Sequence, residues 1–567
     1  MGTEDTDHVD KEDMVAKEEA AEVDKLVEEN GKKKRVTFDD ILTDLGEFGR
    51  YQKRTYLLLF LPTIFSAMQK QSWVFLGAKA AHRCKLPEES HNASFYNPDI
   101  NLTARIPWNT LDDRLSSCRM YDSQGGEVGC DQGWIFDKTT FGSSAVMEWE
   151  LVCGDKGLRA TAQSVFMVGV MLGSYIFGAM SDKLGRKLSF FVSVVVMAVF
   201  GILSGLVPEY WSFIVLRCVV GATTSGVFLV AYVLAMEMVG PRWRVAAGTL
   251  CQYYYTLGYL LMAAVAYLLN HDWHLLQVAL SVPCVLFLSY WWVVPESVRW
   301  QMQEGRYEEA KLQIYKVAAA NRVELDQAKV EEMVSNAVAD KERSAGAQAA
   351  SILDLFRHRR LCLRTLNLCF NWMVNSGTYY GLALSASNLG GNPYYNYLIS
   401  AAVEIPAYAF NLAVLNHPRV GRRLAMSGCM LVAGAVLTVT IFIPRDQVAL
   451  LVTLSMLGKL AITSSYGTVY IFSAELFPTV VRNVGMGATS MSGRVGGILC
   501  PYINMLSDLW TPLPLIIYGG LALTGGLLTL LLPETLGRTL PETIQDGETF
   551  GTRGDKEKQE EGSTEES

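Results

Sequence analysis

Long apolar runs alternate with short polar breaks along most of this chain. Twelve runs of 18 or more residues stand out, near 55–77, 159–180, 188–207, 211–235, 245–269, 273–294, 363–386, 394–415, 424–443, 448–472, 484–506 and 512–532. A run of that length can cross a bilayer as a helix, whose backbone hydrogen bonds close internally where no water can take them. The pattern predicts an all-α membrane protein with twelve transmembrane helices. Composition agrees. Half of the 567 residues are hydrophobic and 19% are charged, against about a quarter charged in an ordinary soluble domain. Collagen, a disordered chain and a small disulfide scaffold are excluded. The first 50 residues hold no short apolar core before a small-residue cleavage site, so the first run is expected to act as the insertion signal.

Basic residues in the short breaks orient the spans, because cytoplasmic loops carry an excess of Lys and Arg. Lys183, Arg186 and Lys187 follow span 2, Arg242 and Arg244 follow span 4, Arg419, Arg422 and Arg423 follow span 8, and Arg482 follows span 10. The alternate breaks are nearly free of basic charge, so both termini are expected in the cytoplasm of a multi-pass plasma-membrane protein. The net charge of −8 is concentrated in the tails: residues 1–50 carry 16 acidic and 8 basic groups, and residues 533–567 carry 10 and 4. The expected domains are an acidic tail (1–52), a six-helix half (53–300), a cytoplasmic linker of amphipathic helices (301–361), a second six-helix half (362–532) and an acidic tail (533–567).

Two breaks are long. The first, 78–157, lies outside in this topology. It holds Cys84, Cys118, Cys130 and Cys153 and two glycosylation acceptors, Asn92 and Asn101. Four cysteines in an oxidising compartment suggest two disulfides, with three pairings open. The second, 301–361, joins the halves, which echo one another. Gly185-Arg186 matches Gly421-Arg422, Glu237 matches Glu475, and Pro295-Glu296-Ser297 matches Pro533-Glu534-Thr535, at offsets of 236, 238 and 238. A six-span unit repeated in parallel fits a two-lobed transporter with its site between the lobes.

Several stretches carry a resemblance. Gly178-Ala-Met-Ser-Asp182-Lys-Leu-Gly-Arg186-Lys187 resembles the loop 2–3 signature of the major facilitator superfamily. Glu148-Trp-Glu-Leu-Val-Cys153, Pro295-Glu-Ser-Val-Arg-Trp300, Ala474-Glu-Leu-Phe-Pro-Thr-Val-Val-Arg-Asn483 and the cysteine-bearing loop are similar to its organic cation, carnitine and organic anion branch. Ser225 to Tyr232 and Gly458 to Gly467 are similar to insect organic-cation-transporter-like members. The resemblance covers about 41–546 and implies the major facilitator fold, with charges at the cytoplasmic helix ends that gate alternating access. Those are Asp182 with Arg186, Glu237 with Arg244, and Glu475 with Arg482. Helix-end topology anchoring is the plainer reading of the same residues. The second-half loop, His417 to Arg423, departs from many relatives in lacking an Asp before its Gly-Arg-Arg, so charge locking is expected to rest mainly on the first half.

Ionisable groups inside spans are costly and are functional candidates. Glu404, Lys459 and Arg494 stand out. Glu404 matches an acidic span-8 position of the organic cation transporters. Arg494 falls where cation-selective relatives carry Asp, and carnitine- and anion-handling relatives carry Arg. An Arg fork suits a carboxylate, so a bipolar cavity is expected, with a structural Glu404–Lys459 or Glu404–Arg494 pair as the alternative. Tyr379 and Tyr380, Tyr253 to Tyr255, and Tyr466 and Tyr470 are candidates to hold an ammonium through cation–π contacts. Asn375-Ser376-Gly377 reads as a break in span 7.

No Gly-Lys-Ser/Thr phosphate loop, HExxH or CxxC site is present, so no enzyme activity, cofactor or metal is expected. The basic run Lys32 to Arg35 reads as a solvated or lipid-touching segment, and Asp555 to Ser567 as disordered. The expected function is polyspecific transport of small organic cations or zwitterions, with Na⁺ or an exchanged solute as a further partner and no nucleic acid. The alternatives are an organic anion exchanger of the same family and a transporter-like signalling or scaffold protein.

Overall fold

The computed structural model describes residues 35–89, 94–96, 102–109, 114–122, 124–344, 352–415, 417–444 and 447–551. Asn92, Asn101, Lys32 to Lys34 and Asp555 to Ser567 lie outside the described residues. Helices dominate. The principal ones are α1 (Phe38–Asp44), α2 (Arg50–Gln71), α3 (Lys156–Leu184), α4 (Arg186–Ser204), α5 (Tyr210–Met238), α6 (Arg244–Leu268) and α7 (Trp273–Ser281). They continue as α8 (Val298–Glu304), α9 (Tyr307–Asn321), α10 (Gln327–Ser344), α11 (Arg359–Ser385), α12 (Pro393–Ala402), α13 (Glu404–Val414), α14 (Gly421–Val439), α15 (Val448–Leu476), α16 (Arg482–Met505) and α17 (Leu513–Thr529).

Seven helical stretches are long and apolar enough to cross a membrane: Cys153–Leu184, Arg186–Ser204, Tyr210–Met238, Trp273–Trp292, Pro393–Val414, Gly421–Phe442 and Val448–Leu476. Helices α2, α6, α11 and α16 are as long but more polar. Lys70, the Tyr253 to Tyr255 run, three asparagines of α11 and Arg494 lie on them. The polar content that lowers their apolarity is the content that builds the site described below.

Two sequence expectations about helix continuity change. Span 7 is uninterrupted as α11, because the buried Asn375 amide donates to the Asn371 carbonyl one turn back at 2.9 Å. Span 8 instead divides at Val403 into α12 and α13. Pro406 has no N–H, so the Ala402 carbonyl loses its helical donor there.

Close helix contact rests on small residues. A Cβ at Gly173 would run into the Ala222 backbone, and one at Gly221 into the Phe166 carbonyl, so α3 and α5 touch backbone to backbone. Gly496 meets the Met373 carbonyl in the same way, joining α16 to α11. The repeat is also visible in the backbone. Gly185 and Gly421 both take positive φ, 99° and 65°, at the sharp turns opening α4 and α14. Other residues adopt that region only with strain.

Two compact units are distinguished. The smaller contains the described parts of Met1–Lys53, Glu237–Arg244 and Val298–Ala347. Its core packs Ile41 and Leu42 of α1, and Leu45 just after it, with Ile314, Val330 and Met333 of α9 and α10. Thr37 and Asp40 close a capping box on α1, which satisfies backbone donors at its start. The end of the expected N-terminal tail is therefore folded. The larger unit holds the remaining described residues, including the long segment between α2 and α3. There β1 (His82–Cys84) pairs antiparallel with β6 (Trp134–Phe136), β2 (Trp108–Asn109) with β3 (Arg114–Leu115), and β4 (Met120–Tyr121) with β5 (Glu127–Val128). Disulfides join Cys84 to Cys130 and Cys118 to Cys153. A buried Arg83–Glu89 pair, bidentate at 2.6 and 2.7 Å, ties down the start of this segment. The second expected tail is also partly folded, since Arg364 donates to the Gly547 and Phe550 carbonyls.

Candidate functional site

Within the larger unit, α2 to α7 form a first half and α11 to α17 a second. Their facing surfaces bring the in-span charges together. Glu404 opens α13 directly after the break in span 8, and its side chain is fully enclosed. Its carboxylate lies 3.1 Å from the Lys459 ammonium of α15. It also accepts from the Tyr379 hydroxyl of α11 at 2.7 Å and from Thr256 of α6, in the other half, at 3.2 Å. Lys459 donates to the carbonyl and hydroxyl of Ser400 at 2.6 and 2.8 Å and sits 5.5 Å from the centre of the Tyr379 ring. Each charge is thus neutralised and hydrogen-bonded, as burial in a low-dielectric interior requires.

Arg494 differs. Its guanidinium donates to Ser174 of α3 across the halves at 3.0 Å, and to the carbonyl and hydroxyl of Ser490 on its own helix. Among the described residues it has no carboxylate partner, and its side chain is half-buried. Aromatic rings lie between the two charge centres. Tyr379 contacts Tyr380 and Tyr466 with centroids 5.1 and 5.7 Å apart, and Tyr470 contacts Tyr466 and Trp372 at 5.6 and 4.3 Å. In the first half Tyr255 meets Phe228 and Tyr259 at 5.1 and 5.3 Å. Tyr253 packs edge-on against Tyr408 of α13, and Tyr254 against Phe60 of α2.

The two ends of the bundle are built differently. At the end bearing the cysteine-rich segment the halves are joined. Lys79 and Lys156 approach Asp508 at 2.7 and 3.7 Å, Thr161 bonds Tyr502 at 3.2 Å, and Phe75 stacks on Tyr394. At the opposite end each half carries a charge cluster of its own. Asp182 pairs with Arg186 at 3.1 Å, and Glu296 accepts the backbone N–H groups of Arg186 and Lys187. Burial raises the pKa of Glu296, and those N–H bonds and Arg186 oppose the rise. In the second half Glu534 takes the same place, accepting from the N–H groups of Arg422 and Arg423.

The arginine expected beside Glu475 changes. Glu475 pairs with Arg422 at 3.2 Å and accepts from Thr535, while Arg482 donates to the Phe477 carbonyl and Thr479. Glu475 thus stands in for the Asp that the second-half loop lacks. Within the smaller unit Arg244 pairs with Asp39 of α1, which Arg299 also reaches. Both Arg244 and Arg482 donate to the carbonyl five residues earlier, at 3.3 Å, which places each at the start of its helix. Glu237 lies among the residues lining a small cavity with Phe38, Leu42 and Tyr51.

The sugar (and other) transporter family model matches residues 143–546. The chain belongs to that family, as an organic cation transporter-like member. It is 50% identical over 546 residues to "Organic cation transporter protein" of Drosophila melanogaster, covering 93% of this chain and 98% of the relative. It is 35% identical over 526 residues to "Organic cation/carnitine transporter 2" of Homo sapiens, covering 89% and 93%. The proton:xylose symporter XylE of E. coli, a solved major facilitator superfamily structure, aligns with a TM-score of 0.56 at 16% identity, over 88% of this chain and 100% of that one. At that identity the likeness carries the fold alone. The chain is thus a multi-pass membrane protein of the major facilitator fold and not an enzyme.

Two cations away from the span ends were not singled out from the sequence. Arg217 of α5 is buried against Trp73 and Phe166, 4.7 and 4.8 Å from the ring centres, and donates to Gln163. Lys70 of α2 lies 4.8 Å from the Tyr380 ring centre and 5.8 Å from that of Tyr255. The rule that singled out Glu404 reaches both, since each falls inside an expected span.

Proposed function

We propose that this family member moves small organic cations or zwitterions across the plasma membrane by alternating access. Zwitterions with an ammonium and a carboxylate, of the carnitine or betaine kind, fit best. The observation that carries the reading is the contrast between Glu404, neutralised by Lys459, and Arg494, which has no carboxylate partner among the described residues. Arg494 offers a planar fork to a carboxylate, and Tyr380, Tyr466 and Tyr470 offer ring faces to an ammonium. Glu404 with Lys459 orients Tyr379 and gives the aromatic wall a fixed dipole. The names of the relatives support the ammonium half of this reading.

In this account twelve helices cross the bilayer, both termini are cytoplasmic, and the cysteine-rich segment, glycosylated at Asn92 and Asn101, lies outside. The halves then meet at their outer end, through Asp508, and the charge clusters of Asp182, Arg186, Glu296, Arg422, Glu475 and Glu534 lie at the inner end. Closure at the outer end is the pattern of an inward-facing state, and outward opening releases those contacts. The test is uptake in oocytes of tetraethylammonium, carnitine and a panel of organic anions, at several potentials and with Na⁺ removed. Saturable uptake of a cation or zwitterion supports the reading. Absence of saturable uptake of any solute overturns it in favour of a non-transporting role. A second reading, organic anion exchange, is favoured by the internal neutralisation of Glu404, and uptake inhibited by anions but not by cations would select it.

A further inference from the structure

Lys70 is the cation whose position the function above leaves unexplained. It stands on α2 between two buried glutamines, Gln69, which donates to Ser281 at 2.8 Å, and Gln71. Its ammonium points instead between the halves, toward the rings of Tyr255 in the first and Tyr380 in the second. Among the described residues it has no carboxylate partner. An ammonium held inside a membrane protein without an acid is costly, and two ring faces return only part of that cost. Arg217, the comparable buried cation of the first half, is closed in by three rings and by Gln163 and Ser72. Lys70 is only half-buried.

Tyr380 connects Lys70 to Arg494. Lys70 lies over its ring, and the same residue packs beside Gly497, one turn beyond Arg494. Arg494 lies within electrostatic reach of the same ring. Since Glu404 cancels Lys459, this part of the protein keeps two positive charges, one from each half, with an aromatic residue between them.

We propose that Lys70 is an anion-recognising residue of the solute site, taking a carboxylate or similar anionic group from the first half while Arg494 takes it from the second. The inference rests on the reading of this region as the transport site. It adds a specificity residue to that site and extends the solute class to organic mono- and dicarboxylates. An anion bridging Lys70 and Arg494 also draws the halves together, so its binding is coupled to their rearrangement.

The experiment compares wild type, Lys70→Gln and Lys70→Arg at matched surface abundance in oocytes, with tetraethylammonium, carnitine and glutarate as probes. Loss of one charge-assisted bond predicts that Lys70→Gln raises the KM for carnitine and the inhibition constant for glutarate by about tenfold or more. Tetraethylammonium is unchanged or better transported, and Lys70→Arg stays near wild type for all three. Equal changes for the three probes, or none, overturn the proposal while leaving the transport reading in place. If the wild type handles none of the three, the transport reading fails first. If Lys70→Gln does not reach the surface, acylation of Lys70 in the purified wild-type protein, read by mass spectrometry, decides. Protection by glutarate but not by tetraethylammonium is expected, and acylation unaffected by glutarate overturns the proposal.

Discussion

Glu404 with Lys459 and Arg494 with Lys70 are two charged centres a short distance apart on the same facing surfaces, and they are satisfied in opposite ways. The first is a closed acid–base pair, with Tyr379, Thr256 and Ser400 using the remaining hydrogen-bonding capacity. The second consists of cations whose partners are hydroxyls, carbonyls and ring faces. The type of residue does not separate the two centres; the presence of a counter-charge does. A compensated pair supports architecture, and an uncompensated cation leaves room for an external anion.

The largest expected effect comes from breaking the closed pair. Glu404→Gln or Lys459→Met leaves one buried charge without its partner, at a cost of about 3–5 kcal/mol, and should nearly abolish folded protein at the surface. The double variant Glu404→Leu with Lys459→Met should recover most of that loss, because two apolar side chains can replace a buried pair at little cost. Thermal unfolding of the detergent-solubilised single and double variants measures the coupling. Additive losses would mean that the pair is not a unit.

A smaller effect is expected at the edge of that pair. Tyr379→Phe removes a bond to a charged acceptor, worth about 1.5–3 kcal/mol. It should lower stability by that order while leaving the preference between carnitine and tetraethylammonium in place. A change of preference without loss of stability would move Tyr379 from support to solute contact and blur the contrast.

The smallest effect is expected where the halves meet. Lys79 and Lys156 reach Asp508 in partly exposed pairs, which are typically worth ~0.2–1 kcal/mol each. Asp508→Asn should shift the population modestly toward the outward-open state, seen as faster labelling of a cysteine introduced on the facing surface. Burial, and then the charge of Arg159, lowers the Lys79 pKa below 10.5. Its folded value therefore lies below its unfolded one, so the charged ammonium weakens the closure at neutral pH and that cost is relieved as pH rises through the folded value. Wild-type labelling should slow with alkaline pH, and Asp508→Asn, which removes the charge that opposes the shift, should move this dependence to lower pH.

The apolar pattern made the helices legible, because each of the twelve runs falls on helical segments of the structure. Glu404, Lys459 and Arg494 were legible for the same reason, as charges in apolar surroundings. Their partners were not. That Lys459 and not Arg494 answers Glu404 depends on the division of span 8 at Val403, which swings the start of α13 and which Pro406 only hints at. Lys70 fell under the same rule, but its signal was the weaker for its place toward the end of a span, where a lysine ordinarily reaches water. The second-half gate pairs differently because Glu475 and Arg422 are brought together by folding, although they stand 53 positions apart in the chain. Asp39 was hidden in a tail whose acidic composition masked the apolar face of α1.

The central claim, an uncompensated cationic centre that takes the carboxylate of a transported solute, is tested most directly by Arg494→Asp. Uptake of labelled carnitine and tetraethylammonium is measured for this variant and wild type at equal surface abundance. Carnitine uptake is expected to collapse while tetraethylammonium uptake is kept or raised, so that the ratio between them shifts by at least about tenfold. An unchanged ratio would contradict the claim.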